Sequence, residues 1–205
     1  DGISFSLQRG ETLAIVGESG SGKTTLGKST LKLLSPTEGR IIFDGMDLGT
    51  LDNQGVKGFR KRAQGIFQDP YSSLDSFMTI YQILEEPLVV HGVRDKSERT
   101  KIIYKVLEDV KMYPPDESAN KYPHTLSGGL KQRVGIARAL TLTPEYILAD
   151  EPVSMVDASN RAEILYLLSD IQKQYGVSFL YVTHDIATAK HFSNRIAVMY
   201  AGRIV

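Results

Sequence analysis

The chain has 205 residues, 41% hydrophobic and 23% charged, with 24 basic side chains balancing 24 acidic ones and no cysteine. That length and composition suit a globular domain large enough to bury a core. The zero net charge gives no support for broad nucleic-acid binding, and the missing cysteines exclude disulfides, cysteine-ligated zinc and iron–sulfur clusters from this stretch.

In chain order, Ile3, Phe5 and Leu7 alternate with polar residues like a strand, and Asp1 to Gly10 do not resemble a signal peptide. The chain opens inside this run and closes inside another, Met199 to Val205, so both ends are expected to be truncated. Thr12 to Val16 reads as a buried strand, followed by a glycine-rich loop and a helix from Lys23 to Leu34 stopped by Ser35 and Pro36. "GRIIFDG" predicts a short strand entering an Asp-Gly turn, and "AQGIFQ" a strand ending at Gln68. Helical patterns follow over Ile80–His91, over Lys96–Val110 and after "LSGG". Strands return at Tyr146–Asp150, Ser178–His184 and Arg195–Tyr200, with a helix over Ser159–Tyr175 among them. Continuous apolar strands alternating with helices predict a parallel sheet covered on both faces, with the helical middle inserted into it.

"GESGSGKT" comprises Gly17, Glu18, Ser19, Gly20, Ser21, Gly22, Lys23 and Thr24, and it falls between a strand and a helix, where the P-loop mechanism requires it. The loop N–H groups can cradle phosphates, Lys23 adds positive charge and Thr24 offers a hydroxyl to Mg²⁺, with Thr25 beside it in the first helical turn. This is a nucleoside-triphosphate site. Asp150 and Glu151 end an apolar strand, Asp150 suited to holding Mg²⁺ and Glu151 to serving as general base. His184 ends the next apolar strand and should emerge on the same sheet edge, able to contact a γ-phosphate and orient water. Gln68, at the end of its strand, has an amide that could reach metal or water.

"LSGGLKQR" is a second anion-site signature. Ser127 is placed as an N-cap, Gly128 and Gly129 leave the first N–H groups bare, and Leu130, Val134, Ala137 and Thr141 form a stripe at helical spacing. His91 and His191 have no comparable context, and His124 reads as structural.

Taken in order, "GESGSGKT", "GIFQDP", "LSGG", "YILADEP" and "THD" resemble the ATP-binding subunit of ABC transporters over essentially the whole chain. "GESGSGKTTL", "FQDPYSSLD" and "YPHTLSGG" look most like the oligopeptide, dipeptide and nickel importer branch. The resemblance implies a P-loop NTPase α/β core with a mostly parallel sheet, an antiparallel β edge and an inserted helical subdomain. The whole chain, 1–205, would be one nucleotide-binding domain, with its core at about 1–70 and 143–205 and its helical part at about 71–142. ATP and Mg²⁺ would be bound, the metal by Thr24, Gln68 and Asp150. Ser127, Gly128 and Gly129 would cap the γ-phosphate held by a second, identical or homologous subunit packed head to tail. Asp157, in "SMVD" (Ser154 to Asp157), would lie between the subunits, and residues near Tyr71 to Thr79 would face transmembrane permease subunits. The protein would sit peripherally on the cytoplasmic face of the membrane and serve an extracytoplasmic solute-binding protein indirectly. Peptides are the first expectation for the solute. The same machinery importing oligosaccharides or nickel, and a non-transport ATPase of this type, are the alternatives.

The sequence departs from the family pattern at Leu130, where glutamine is usual and where a leucine can join the apolar stripe. Met155 and Val156 replace a commoner small-hydrophobic pair, and the usual adenine-stacking aromatic would lie before Asp1. Rival classes fit less well. "DNQG", Asp52 to Gly55, matches a GTPase Asp-x-x-Gly, but "NKYP" at Asn120 fails the guanine-reading motif at its last position. A small-molecule kinase has no use for "LSGG", a DNA-repair head would carry a long coiled coil, and a regulatory binder would be expected to lose Glu151 or His184.

Overall fold

The structure is a computed structural model that describes residues 2–69 and 74–205. The chain forms two compact units, one of Asp1–Gly65, Glu145–Glu151 and Gln172–Val205, the other of Ile66–Pro144 and Pro152–Ile171.

The first unit is built on a six-stranded sheet. Its strands are β1 (Thr12–Val16), β4 (Ala63–Ile66, whose last residue belongs to the second unit), β5 (Tyr146–Asp150), β6 (Ser178–Thr183), β7 (Arg195–Tyr200) and β8 (Arg203–Ile204). They lie in the order β4-β5-β6-β1-β7-β8. β1 pairs in parallel with β6 and β7, β5 pairs in parallel with β6, and β8 closes the edge antiparallel to β7. Every residue of β1, β5 and β6 is buried, as continuous apolar runs in a covered parallel sheet require. The predicted α/β class with a mostly parallel sheet and an antiparallel edge is what the fold contains.

A separate hairpin joins β2 (Ile42–Phe43) to β3 (Met46–Asp47). Asp44 and Gly45 both take positive φ, 50° and 79°, the conformation a tight two-residue hairpin turn demands and Asp-Gly supplies. Asp52 is explained by structure rather than by guanine chemistry. Its side chain caps helix α2 (Asn53–Arg62) by accepting from the Gly55 N–H at 2.7 Å.

Helix α1 (Lys23–Thr30) ends earlier than its sequence suggests. The Leu33 N–H reaches back to Lys28 O and the Lys32 N–H to Ser29 O, both at 3.0 Å, with Lys32 left-handed at φ 53°. That double return closes the helix, and Leu33 and Leu34 remain exposed instead of extending its buried face. Residues 3–7 are also not a strand. Ile3, Phe5 and Leu7 are half-buried in alternation, yet no described strand pairs with them, so the pattern is kept without a ladder.

Arg62 fastens the hairpin to the start of β5. Its guanidinium bonds Asp44 at 2.6 Å and Glu145 at 2.6 and 2.8 Å, and it sits 4.9 Å over the Phe43 ring. The hydrogen bonds from Arg62 hold both carboxyls below their ordinary range. Carboxylates held low add stability above their unfolded pKa and lose it as pH falls through the folded value. Arg62→Met is expected to lower the melting temperature by a few degrees at neutral pH. Calorimetry should show the gap to wild type narrowing as the solution is acidified. A constant gap would mean that Arg62 acts only through packing on Phe43.

The second unit is helical. It contains α3 (Ile80–Val90), α4 (Lys96–Asp109), α5 (Pro115–Ala119), α6 (Gly128–Leu140) and the first part of α7 (Ala158–Tyr175). A reciprocal Thr79–Gln82 capping box starts α3. Ile83, Leu84, Ile103, Leu107, Val134, Ile136 and Leu140 form its core, each 3% exposed or less. One further helix, α8 (Ile186–Phe192), belongs to the first unit and is capped by Asp185. No described helix is long and apolar enough to cross a membrane.

Candidate nucleotide site

The phosphate loop is held from behind. A Cβ on Gly17 would fall 2.1 Å from the Met199 carbonyl of β7, so only glycine fits there. Gly22, at φ 103°, caps α1 without a side chain and leaves its first N–H groups free for an anion. The Lys23 side chain is buried and its Nζ donates to Gly17 O at 2.8 Å and Glu18 O at 2.7 Å, curling the loop around the ammonium. Ser21 Oγ is buried with no hydrogen-bond partner among the described residues, and a Cβ on Gly17 would fall 2.9 Å from it. Glu18, Ser19, Gly20, Thr24 and Thr25 are exposed around it. The second buttress is also remote in sequence, the Gly202 N–H donating to Ser21 O at 3.0 Å. Neither Met199 nor Gly202 could be found from sequence, because only the β1–β7 pairing brings them to the loop.

Asp150 ends β5 at 4% exposure, and its Oδ1 accepts from Thr24 Oγ1 at 3.1 Å. Burial pushes the Asp150 carboxyl upward, against the opposing pull of the Thr24 hydroxyl. The buried carboxylate shares its position with a hydroxyl. The pair fits a hard divalent cation such as Mg²⁺, which would find its remaining oxygens on phosphate and water.

Glu151 stands one residue further, in a left-handed conformation at φ 47°. A non-glycine residue there is strained, and such strain clusters at functional sites. One hydrogen bond holds it in place, the Glu151 N–H donating to Val182 O at 2.8 Å. The side chain is thereby turned toward His184, whose Nδ1 lies 3.2 Å from Glu151 Oε1. The imidazole is 62% exposed and the carboxylate 18%, so the dyad has its acceptor sheltered and its ring open to an incoming group. The P-loop, Asp150, Glu151 and His184 all belong to the first unit.

The remaining predicted residues belong to the second unit. Gln68 is exposed, two residues past the end of β4. Ser127 is the N-cap of α6, its Oγ accepting from the Leu130 N–H at 3.4 Å, with Gly128 and Gly129 opening the helix. Asp157 is exposed just before α7. Leu130 corrects one expectation: it is 37% exposed and does not join the stripe, while Val134, Ala137 and Thr141 are buried. It sits in the first turn, where Gly129 and not Leu130 is the buried residue. His124 is structural in its surroundings, stacked on Tyr122 with Nδ1 3.4 Å from Ser76 O. Of the segment expected to face a membrane partner, Tyr71 to Ser73 lie outside the described residues, and Phe77 is 93% exposed.

A parallel sheet whose first strand runs through a glycine loop into a helix, with an acidic strand end bonded to the loop's threonine, defines a P-loop nucleotide-binding protein. The comparisons narrow the class. Residues 1–154 match the model of the ABC transporter family, and the chain belongs to that family. It is 49% identical over its full length to a protein of Brucella ovis named as a peptide import ATP-binding protein, covering 64% of that protein. It is 44% identical to the oligopeptide transport ATP-binding protein AppF of Bacillus subtilis, covering 62% of it. The chain thus spans less than two thirds of the length of these relatives. Among solved structures, cbiO1 of Clostridium perfringens, part of the ABC transporter complex cbiONQ, superimposes with a TM-score of 0.89 at 32% identity, covering 100% of this chain and 79% of that one. The dimeric ATP-binding cassette MJ0796, in a post-hydrolysis state with ADP and Pi, superimposes with a TM-score of 0.84 at 33% identity, covering 98% and 85%.

Proposed function

We propose that this chain is the ATP-hydrolysing domain of an importer for peptides or similar small solutes. The observation that carries the reading is the Thr24–Asp150 hydrogen bond, with the Glu151–His184 dyad starting at the very next residue. The loop N–H groups and Lys23 would hold the β- and γ-phosphates. Glu151 Oε would take a proton from water as the water oxygen bonds the γ-phosphorus and the bond to the β,γ-bridging oxygen breaks, giving ADP and inorganic phosphate. His184 would orient that water and the γ-phosphate. Bound Mg²⁺ would supply charge neutralisation at the β/γ-phosphates, with Thr24 and Asp150 as its protein partners.

Two such chains would pack head to tail, with Ser127, Gly128 and Gly129 of each completing the site of the other; that the similar cassette MJ0796 is dimeric supports a pair. Asp157 would lie at their junction. The chain would act as one nucleotide-binding domain, its helical unit passing the closing motion to permease subunits. Its place would be peripheral, at the cytoplasmic membrane face, with a solute-binding protein acting across the membrane. The relatives' names favour peptides as the solute.

Phosphate release with and without Mg²⁺ tests the ATPase reading, and the metal role has its own variant. Asp150→Asn should abolish hydrolysis and weaken Mg-ATP far more than metal-free ATP. Equal affinity losses in the two titrations would remove Asp150 from the metal site.

A further inference from the structure

We infer that Arg133 is a positioning residue that fixes the Ser127 turn and the Asp157 loop at one spacing. Arg133 lies in the second turn of α6 with its side chain 12% exposed. One arm of its guanidinium donates to the Val110 carbonyl at 2.8 Å, at the C-terminus of α4, where a cation is favoured by the helix dipole. The other donates to Glu163 Oε2 on α7 at 2.9 Å. A single two-armed side chain thus ties three helices at the level where two loops leave them, a geometry lysine cannot reproduce.

Both loops are anchored close to this tie. The first turn of α6 lies against that of α7, since a Cβ on Gly129 would stand 3.6 Å from Asn160 Cβ. Asp157 is fixed to the same turn, its carbonyl accepting from the Asn160 N–H at 2.9 Å and the Arg161 N–H at 3.1 Å. Arg161 Nε in turn donates to Val156 O at 3.0 Å, stiffening the loop ahead of it. Lys111–Asp170, at 3.5 Å and more than half exposed on both sides, is a weaker second tie to the same helix.

The inference rests on the proposed head-to-tail pairing, in which Ser127 and Asp157 both meet the neighbouring chain. A composite site needs its two contributions held to within a fraction of an ångström, which exposed loops cannot provide alone. Arg133 touches neither nucleotide nor water in this account. It sets the distance between the two contact points.

The test uses the full-length protein in a Glu151→Gln background, where ATP should hold the closed pair. Arg133→Met should raise the dimer dissociation constant by about tenfold or more, with ADP affinity unchanged, since ADP needs only the P-loop half. Glu163→Gln, at an exposed acceptor that leaves the core intact, should reproduce part of the loss. The double variant should fall short of the sum, as for residues sharing one bond. Arg133→Lys should recover only part of the dimerisation. Unchanged dimerisation in Arg133→Met would overturn the inference, as would an ADP affinity that falls in parallel with it. Failure of the Glu151→Gln parent to dimerise with ATP would instead overturn the head-to-tail reading, and this inference with it.

Discussion

Glu151→Gln is expected to bind ATP about as well as wild type and to hydrolyse it roughly 10²–10⁴-fold more slowly. The substitution keeps size and shape and removes only the basic oxygen. The backbone cost of φ 47° is about the same for both residues, and the hydrogen bond to Val182 O continues to hold the chain there. An amide oxygen can still accept from His184 Nδ1, which preserves the dyad's geometry without its chemistry. Stalled before hydrolysis, the variant should migrate as a dimer on size exclusion in ATP and as a monomer in ADP. Turnover near the wild-type rate would show that another group takes the proton, and the exposed His184 ring would be the first to examine.

The parts of this site that sequence made visible are those written in neighbouring residues. β1, β5 and β7 run over the residues that their apolar runs predicted, and the P-loop sits between a strand and a helix. Ser127 caps its helix because capping is decided within four residues. Where the sequence misled, a partner or a backbone turn intervened. Ile3, Phe5 and Leu7 keep strand alternation without a described pairing strand, and Lys32 closes α1 through a left-handed residue no pattern announces. The left-handed turn at Glu151 had no local signal, since the residue before a proline is steered to extended backbone and not to positive φ. Met199 behind Gly17 and Glu163 beside Arg133 had none, being brought close only by strand order and helix packing.

In the proposed head-to-tail pair each catalytic site is shared between two chains, and mixing two inactive variants of the full-length protein would reveal that sharing. Lys23→Ala removes the ammonium that holds Gly17 O and Glu18 O and would meet the phosphates. Ser127→Arg removes the α6 cap and fills the exposed turn with a bulky cation. Each variant alone forms pairs with two dead sites. In a mixed pair both lesions fall in one composite site and leave the other intact. Random pairing makes about half the dimers mixed, each with one working site of two, so recovery of up to about a quarter of the wild-type ATPase rate is predicted, rising with total protein concentration. No recovery, with mixed dimers demonstrated by differential tagging, would contradict the account and place Ser127 opposite something other than its neighbour's ATP.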